Sequence, residues 1–92
     1  MKILVAAALA SSIALTSPPS AHADEDVLVE LLQTRYVFLS RDQILEEGHK
    51  VCQLTQSGRS ASSVVPDVVE DLGISVAAAA QFVATAVVEL EC

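Results

Sequence analysis

Apolar residues after position 23 recur with the period of amphipathic helices. The segment DEDVLVELLQ, residues 24–33, opens with three acids, which suit the positive end of a helix dipole. It predicts a first helix that ends near Thr34 and carries on one face Val27, Leu28, Leu31 and Leu32. The next segment, RYVFL at residues 35–39, is predicted to be an apolar connector packed onto the core.

A second helix is predicted to begin after Ser40. Ser40 and Gln43 match the S-x-x-Q capping box, in which each residue bonds the other's backbone N–H. Gly58 can close this helix in the left-handed conformation. The side of the helix that faces the core is predicted to carry Ile44, Gly48, Val51 and Thr55.

Two pairs of adjacent acids are predicted to point into solvent. Glu46 and Glu47 flank Lys50 at ion-pairing distance on the outer face of the second helix. Glu70 and Asp71 lie on the third helix and are predicted to face water. We interpret both pairs as solvated helix faces and not as a catalytic pair of carboxylates.

A third helix is predicted after Ser60, which can act as its N-cap. Its apolar residues are Val64, Val65, Val68, Val69 and Leu72. Pro66 lies among them, and a proline inside a helix removes one backbone hydrogen bond. The regular helix is therefore expected either to kink at Pro66 or to begin there.

The fourth and longest helix is predicted to follow Gly73, with Ser75 as its N-cap. Its sequence, VAAAAQFVATAVVELEC at residues 76–92, is apolar nearly all round. Such a helix is typical of the buried centre of a small bundle. A membrane span is disfavoured because the segment is short, rich in alanine and acidic at its end.

The first 23 residues have the organisation of a secretory signal peptide. Lys2 supplies a positive charge, residues 3–15 form an uncharged apolar stretch, and small residues at Ala21 and Ala23 define a cleavage site. Thirteen apolar residues are fewer than the roughly 20 that a membrane anchor needs. The sequence predicts a signal peptide at residues 1–23 and an exported, untethered helical domain at residues 24–92.

Charge in the predicted mature segment is strongly negative. Four Lys or Arg stand against twelve Asp or Glu, a formal net charge of −8. Such a surface repels nucleic acid and anionic bilayers, so neither is predicted as a partner. A domain of this size has a core that supplies only a few kcal/mol, and small exported domains commonly add a disulfide.

The order of these features resembles the small exported mycobacterial domains known only as a domain of unknown function. The resemblance covers essentially the whole mature segment, and its most specific parts are Gly48-His49-x-x-Cys52, Gln81-Phe82-Val83 and the closing Cys92. It implies a signal peptide, an all-α fold and a bond between the two cysteines, but no established activity. In similar proteins an ordinary helix former usually stands where this chain has Pro66.

The two cysteines, Cys52 and Cys92, are 40 positions apart. A disulfide bond between them would cross-link the predicted bundle of about four helices. By the loop-entropy estimate it would add about 4 kcal/mol to the free energy of unfolding. The alternatives are a zinc or copper site that also uses His49, and free or intermolecular thiols. A metal site would require reduced thiols in an oxidising compartment, which disfavours it.

His49 has two interpretations. In the first it lies at the edge of the buried side of the second helix and hydrogen-bonds a neighbouring element. In the second, His49 and Tyr36 are ligands of haem iron, since both residue types can bind it. The chain has no C-x-x-C-H attachment motif and few aromatic residues, so we favour the structural role and predict no cofactor.

No enzyme is predicted, because 69 residues leave little room for a substrate cleft and no phosphate-binding loop is present. Two functional classes remain. One is an interaction or structural protein of the cell envelope or exterior, which would have a filled core and an exposed apolar patch that meets a protein partner. The other is a carrier of a small apolar ligand or haem, which would have a cavity lined by Val64, Val68, Phe82 and Val83. The sequence leaves the partner and the oligomeric state open.

Overall fold

The computed structural model describes residues 21–92, with side chains from Asp24 onward. The predicted signal peptide lies outside the described residues apart from its last three, which belong to the first helix. Residues 21–92 form four helices and no strand, which confirms the all-α prediction. The helices are α1 (Ala21–Gln33), α2 (Arg41–Gln56), α3 (Ala61–Leu72) and α4 (Val76–Glu89).

The helix boundaries follow the capping residues. Ser40 accepts a hydrogen bond from the Gln43 backbone, while the Gln43 side chain accepts one from the Ser40 N–H, so the capping box is complete. Ser60 and Ser75 cap α3 and α4 in the same way, each accepting from the N–H three residues later. Gly73 ends α3 in the left-handed conformation, with φ of 66°.

Pro66 neither starts nor ends α3. The helix begins at Ala61, directly after its N-cap, and continues through Pro66 to Leu72. Pro66 is exposed, so the carbonyl that loses its N–H partner four residues earlier can be hydrated by solvent. The expectation that regular helix starts only at Pro66 is wrong.

All four helices contribute to one core, and α4 packs against each of the other three. Phe82, Leu28, Ile44, Val64 and Val68 are fully buried at its centre. The remaining core members are Val29, Leu32, Tyr36, Leu39, Val51, Val65, Ala79, Val83 and Ala86. The predicted inner side of α2 is confirmed at Ile44, Gly48 and Val51.

The buried side of α1 differs from the prediction. Leu28 and Leu32 are buried as expected, but Val27 and Leu31 are 42% and 46% exposed, and Val29 is buried instead. The helix is rotated because Tyr36, just beyond its end, also enters the core. One edge of the predicted apolar side therefore remains in solvent.

The connector between α1 and α2 is only half buried. Tyr36 and Leu39 pack into the core, whereas Val37 is 81% and Phe38 63% exposed. The prediction of a connector packed as a whole onto the core is wrong for these two residues. A connector of five residues has one side that the bundle can cover, and Val37 and Phe38 lie on the other.

α4 lies at the centre of the bundle as predicted, since it packs against the other three helices, but it is not buried on every side. Ala79, Phe82, Val83 and Ala86 are buried, but the opposite side of the helix is exposed. Three neighbouring helices cover three sides of α4, and the described chain has no further element to cover the last one. Its exposed residues include Val76, Ala77, Ala80, Ala84 and Val88.

Gly48 lies where α1 and the turn after α4 pack closely against α2. A Cβ atom at this position would lie 3.1 Å from Leu28 Cδ2 and 3.3 Å from Leu90 Cδ1. Both distances are shorter than ordinary van der Waals contact. The absence of a side chain at Gly48 thus allows α1 and the turn after α4 to pack onto α2.

Candidate functional site

The two cysteines are joined to each other. The Sγ atoms of Cys52 and Cys92 are 2.05 Å apart, and the Cα atoms are 5.3 Å apart. The bond links the middle of α2 to the chain two residues after Leu90, the C-cap of α4. The predicted disulfide is confirmed, and it makes both thiolates unavailable as metal ligands. No group of three or more His, Cys, Asp or Glu within residues 21–92 is arranged to hold a metal ion.

His49 contacts the first turns of α1. Its Nε2 atom lies 2.7 Å from Glu25 Oε2, and the His49 side chain is 51% exposed. The pair stands at an open depression of about 410 Å³. The depression is lined by Asp24, Glu25, His49, Cys52, Gln53, Gln56 and Leu90.

Tyr36 uses its hydroxyl to join the connector to α4. The hydroxyl donates a hydrogen bond of 2.9 Å to the Ala78 carbonyl, and the ring lies between Phe38 and Phe82, with centroids 6.3 Å from each. Tyr36 lines a second depression, between α1 and α4, that does not include His49. Neither described depression brings these two haem-ligand candidates together.

Glu47 is the chemically distinctive residue that sequence reasoning missed. The prediction that Glu47 is solvated is wrong, because it is only 7% exposed, whereas Glu46 and Glu70 are exposed as predicted. Its Oε2 atom has no hydrogen-bond partner in the described part of the chain. Glu47 lies three residues after Ile44 and four before Val51, so the helical spacing of those two core residues was the signal for its burial.

Glu47 belongs to a charge cluster between α2 and α3. Lys50 Nζ donates to Asp71 Oδ2 at 2.5 Å, and the carboxyl group of Glu47 approaches Asp71 as well. Burial, followed by the contact with Asp71, raises the pKa of Glu47 from 4.5 to about 7. The hydrogen bond from Lys50 holds the pKa of Asp71 below its usual value. Near neutral pH the Glu47–Asp71 pair thus holds a proton in a fraction of the molecules.

Large exposed apolar side chains are confined to certain elements of the fold. Six such residues are exposed between Asp24 and Cys92, and none belongs to α2 or α3. They are Val27 and Leu31 of α1, Val37 and Phe38 of the connector, and Val76 and Val88 of α4. Since α1 and α4 pack side by side, we define the α1/α4 face by Val27, Leu31, Ala77, Ala84 and Val88.

Ion pairs link α3 to α2 and to the loop between them. Lys50 joins α2 to Asp71 of α3, and Arg59 forms a two-pronged contact with Asp67 at 2.9 and 3.2 Å. The α4 sequence from Val76 to Val88 contains no charged residue. This part of α4 is therefore uncharged, whereas α1 carries four acids, of which Asp26 pairs with Arg41 of α2.

None of the described helices is by itself long and apolar enough to span a membrane. The segments Ala61–Leu72 and Val76–Glu89 satisfy the length and composition requirements together, but they are bent by 115° at the break between them.

These features define a class of small, all-helical domain with one disulfide and a one-sided apolar surface. The chain belongs to the family described as "Protein of unknown function (DUF732)", whose profile matches residues 23–92. No curated protein and no solved structure is similar enough to match the chain. The family description assigns no activity to its members.

If His49 is a boundary residue of the fold, His49→Gln should lower the free energy of unfolding by about 1 kcal/mol or less, since a glutamine side chain can still hydrogen-bond Glu25. We expect no Soret shift when haemin is added to the unmodified protein, and no zinc affinity tighter than about micromolar. Chemical denaturation, haemin titration and zinc calorimetry check these outcomes. Stoichiometric binding that disappears in His49→Gln would show that His49 is a ligand.

Proposed function

We propose that this domain is an exported, non-enzymatic interaction or structural protein of the cell envelope or exterior, released by cleavage after Ala23. The leader sequence supports export, and the resemblance noted above supports a mycobacterial source. The observation that carries the proposal is the position of the six exposed apolar side chains of residues 24–92, all on α1, α4 and the connector between α1 and α2. A concentrated apolar surface on a small acidic protein is typical of a binding surface.

The packing of the core favours this function over a ligand carrier. The four residues expected to line a carrier's cavity are Val64, Val68, Phe82 and Val83, and they are between 0% and 1% exposed. None of the three depressions described between residues 24 and 92 is lined by any of them. The apolar residues at the centre of the bundle thus contact one another.

Native mass spectrometry of the exported protein tests this proposal. We expect polypeptide masses that begin at Asp24 and carry one disulfide, without a small-molecule adduct. An apolar molecule or haem bound in a one-to-one ratio would contradict the proposal and favour a carrier. A mass that includes Met1 would contradict cleavage after Ala23.

A further inference from the structure

Arg35 is the exception among the Lys and Arg side chains that the structure describes. Its guanidinium donates to Gln81 Oε1 on α4 and contacts no carboxylate within residues 21–92. Glu89, two helical turns further along α4, likewise has no cationic partner in that part of the chain. The other three Lys and Arg residues between positions 24 and 92 each pair with an acid: Arg41 with Asp26, Lys50 with Asp71 and Arg59 with Asp67.

The contacts between α1 and α4 fix the relative direction of the two helices. Tyr36 hydrogen-bonds Ala78, Arg35 bonds Gln81, and Leu31 lines the same depression as Thr85. As the residue number falls along α1, its partner's number rises along α4, so the helices are antiparallel. Leu31 therefore lies at the level of Thr85, midway between Gln81 and Glu89.

Arg35 and Glu89 cannot reach each other within one molecule. Eight residues of helix separate Gln81, which holds the guanidinium, from Glu89, and this corresponds to about 12 Å. Two antiparallel copies of α4 related by a two-fold axis at Thr85 would place Gln81 of one copy opposite Glu89 of the other. The same axis places the α1 helices of both copies on the same side of the α4 pair. Arg35 of each protomer therefore meets Glu89 of its partner.

We propose that two copies of this protein associate through the α1/α4 face as an antiparallel two-fold dimer, joined by two reciprocal Arg35–Glu89 pairs. This inference rests on the proposed function, because it identifies the partner of that surface as a second copy. Leu31 of each protomer lies next to the axis, and Val88 of one packs against the small residues around Ala84 of the other. The alanines of the two α4 helices allow the backbones of these helices to approach each other closely.

A second copy is favoured by two charges that lack an opposite partner within residues 24–92, because each protomer offers Arg35 to its partner's Glu89 and Glu89 to its partner's Arg35. Two acidic molecules repel each other overall, and α1 itself carries Asp24, Glu25, Asp26 and Glu30. The stretch of α4 from Val76 to Val88 carries no charge, so this part of the face adds no repulsion, and the two reciprocal pairs add attraction.

The size of the face indicates a weak dimer. A helix of 14 residues is about 21 Å long, and two adjacent helices are roughly 20 Å wide. Such a face would bury on the order of 1,000 Å² in total, at the low end of specific interfaces. We therefore expect a dissociation constant in the micromolar range. Added salt should strengthen the dimer, because it screens the overall repulsion between two acidic molecules.

Sedimentation equilibrium of the purified protein with its disulfide intact tests the dimer. Arg35→Glu and Glu89→Arg should each raise the dissociation constant at least tenfold, and the double variant Arg35→Glu/Glu89→Arg should return it to within about threefold of the original. Leu31→Glu should give a monomer. Glu70→Arg is the matched control, because it changes the charge as Glu89→Arg does but lies exposed on α3; it should not weaken the dimer.

A protein that remains monomeric at several hundred micromolar would overturn the dimer, as would a double charge swap that fails to restore it. Circular dichroism melts of every variant separate a loss of association from a loss of folding. If native mass spectrometry shows a monomer without a small-molecule adduct, this result contradicts only the proposed dimer. A one-to-one small-molecule adduct would contradict the proposed function itself.

Discussion

Glu47→Gln should stabilise the protein at pH 8 by about 2 kcal/mol and raise its melting temperature by roughly 10 °C. The reason is that Glu47 is buried beside Asp71 and has an oxygen without a hydrogen-bond partner in the described part of the chain. Above its pKa, the ionised carboxylate of Glu47 faces another carboxylate in a poorly hydrated position. Glutamine has the same shape, carries no charge and can donate a hydrogen bond to Asp71.

The same residue predicts how stability depends on pH. The pKa of Glu47 is about 7 in the folded protein and near 4.5 for the free side chain. The folded state therefore binds more protons than the unfolded state between these values, so stability falls as the pH rises from about 4.5 to 7. The full effect is on the order of 3 kcal/mol. Asp71 has the opposite effect, because its pKa is lowered in the folded protein. The stability that ionised Asp71 contributes is lost only when Asp71 becomes protonated at more acidic pH.

Thermal melts and urea denaturation at pH 5, 6, 7 and 8 measure this dependence. The original protein should lose stability across the series, whereas Glu47→Gln should be much less sensitive. Glu46→Gln is the control, because it removes the same charge from the exposed neighbouring position; it should retain the pH dependence. An identical slope in the original protein and in Glu47→Gln would show that Glu47 titrates normally.

Removal of the disulfide should have the largest destabilising effect. The double variant Cys52→Ala/Cys92→Ala should lose about 4 kcal/mol, because the unfolded chain regains the freedom of a long loop. That loss is a large part of the total stability of so small a domain. We expect the melting temperature to fall by roughly 20 °C.

Reduction of the original protein separates the cross-link from the packing of the cysteine side chains. The protein in dithiothreitol and the double variant should melt within a few degrees of each other, well below the oxidised protein. Thiol titration of the unfolded, unreduced protein should find no free cysteine. Two reactive thiols, or a double variant as stable as the oxidised protein, would contradict a stabilising bond.

The parts of the fold predicted from the sequence depend on local chemistry. Ser40, Ser60 and Ser75 define helix starts because a side-chain oxygen bonds an N–H only three residues away. Gly73 defines a helix end because its left-handed conformation is difficult for other residues. The pairing of Cys52 with Cys92 was predicted from the presence of two cysteines, the predicted export signal and the family resemblance.

The errors concern which side of a helix faces which neighbour. Val27 and Leu31 fit the helical period of α1 as well as Leu28 does, but the burial of Tyr36 rotates the helix and leaves them exposed. Periodicity also could not reveal that, within residues 21–92, only three helices pack against α4. The position of Glu47 relative to Ile44 and Val51 was visible in the sequence, but its adjacency to Glu46 suggested a solvated pair.

The close contacts at Gly48 have a consequence for the evolution of this fold. Leu28, Gly48 and Leu90 belong to three separate parts of the chain, yet together they fill one small volume. A substitution that enlarges position 48 has to be accompanied by a shorter side chain at position 28 or 90, or by a shift of those leucines. These three positions should therefore covary among descendants of this sequence, and their drift is constrained jointly although no two of them are neighbours in the chain.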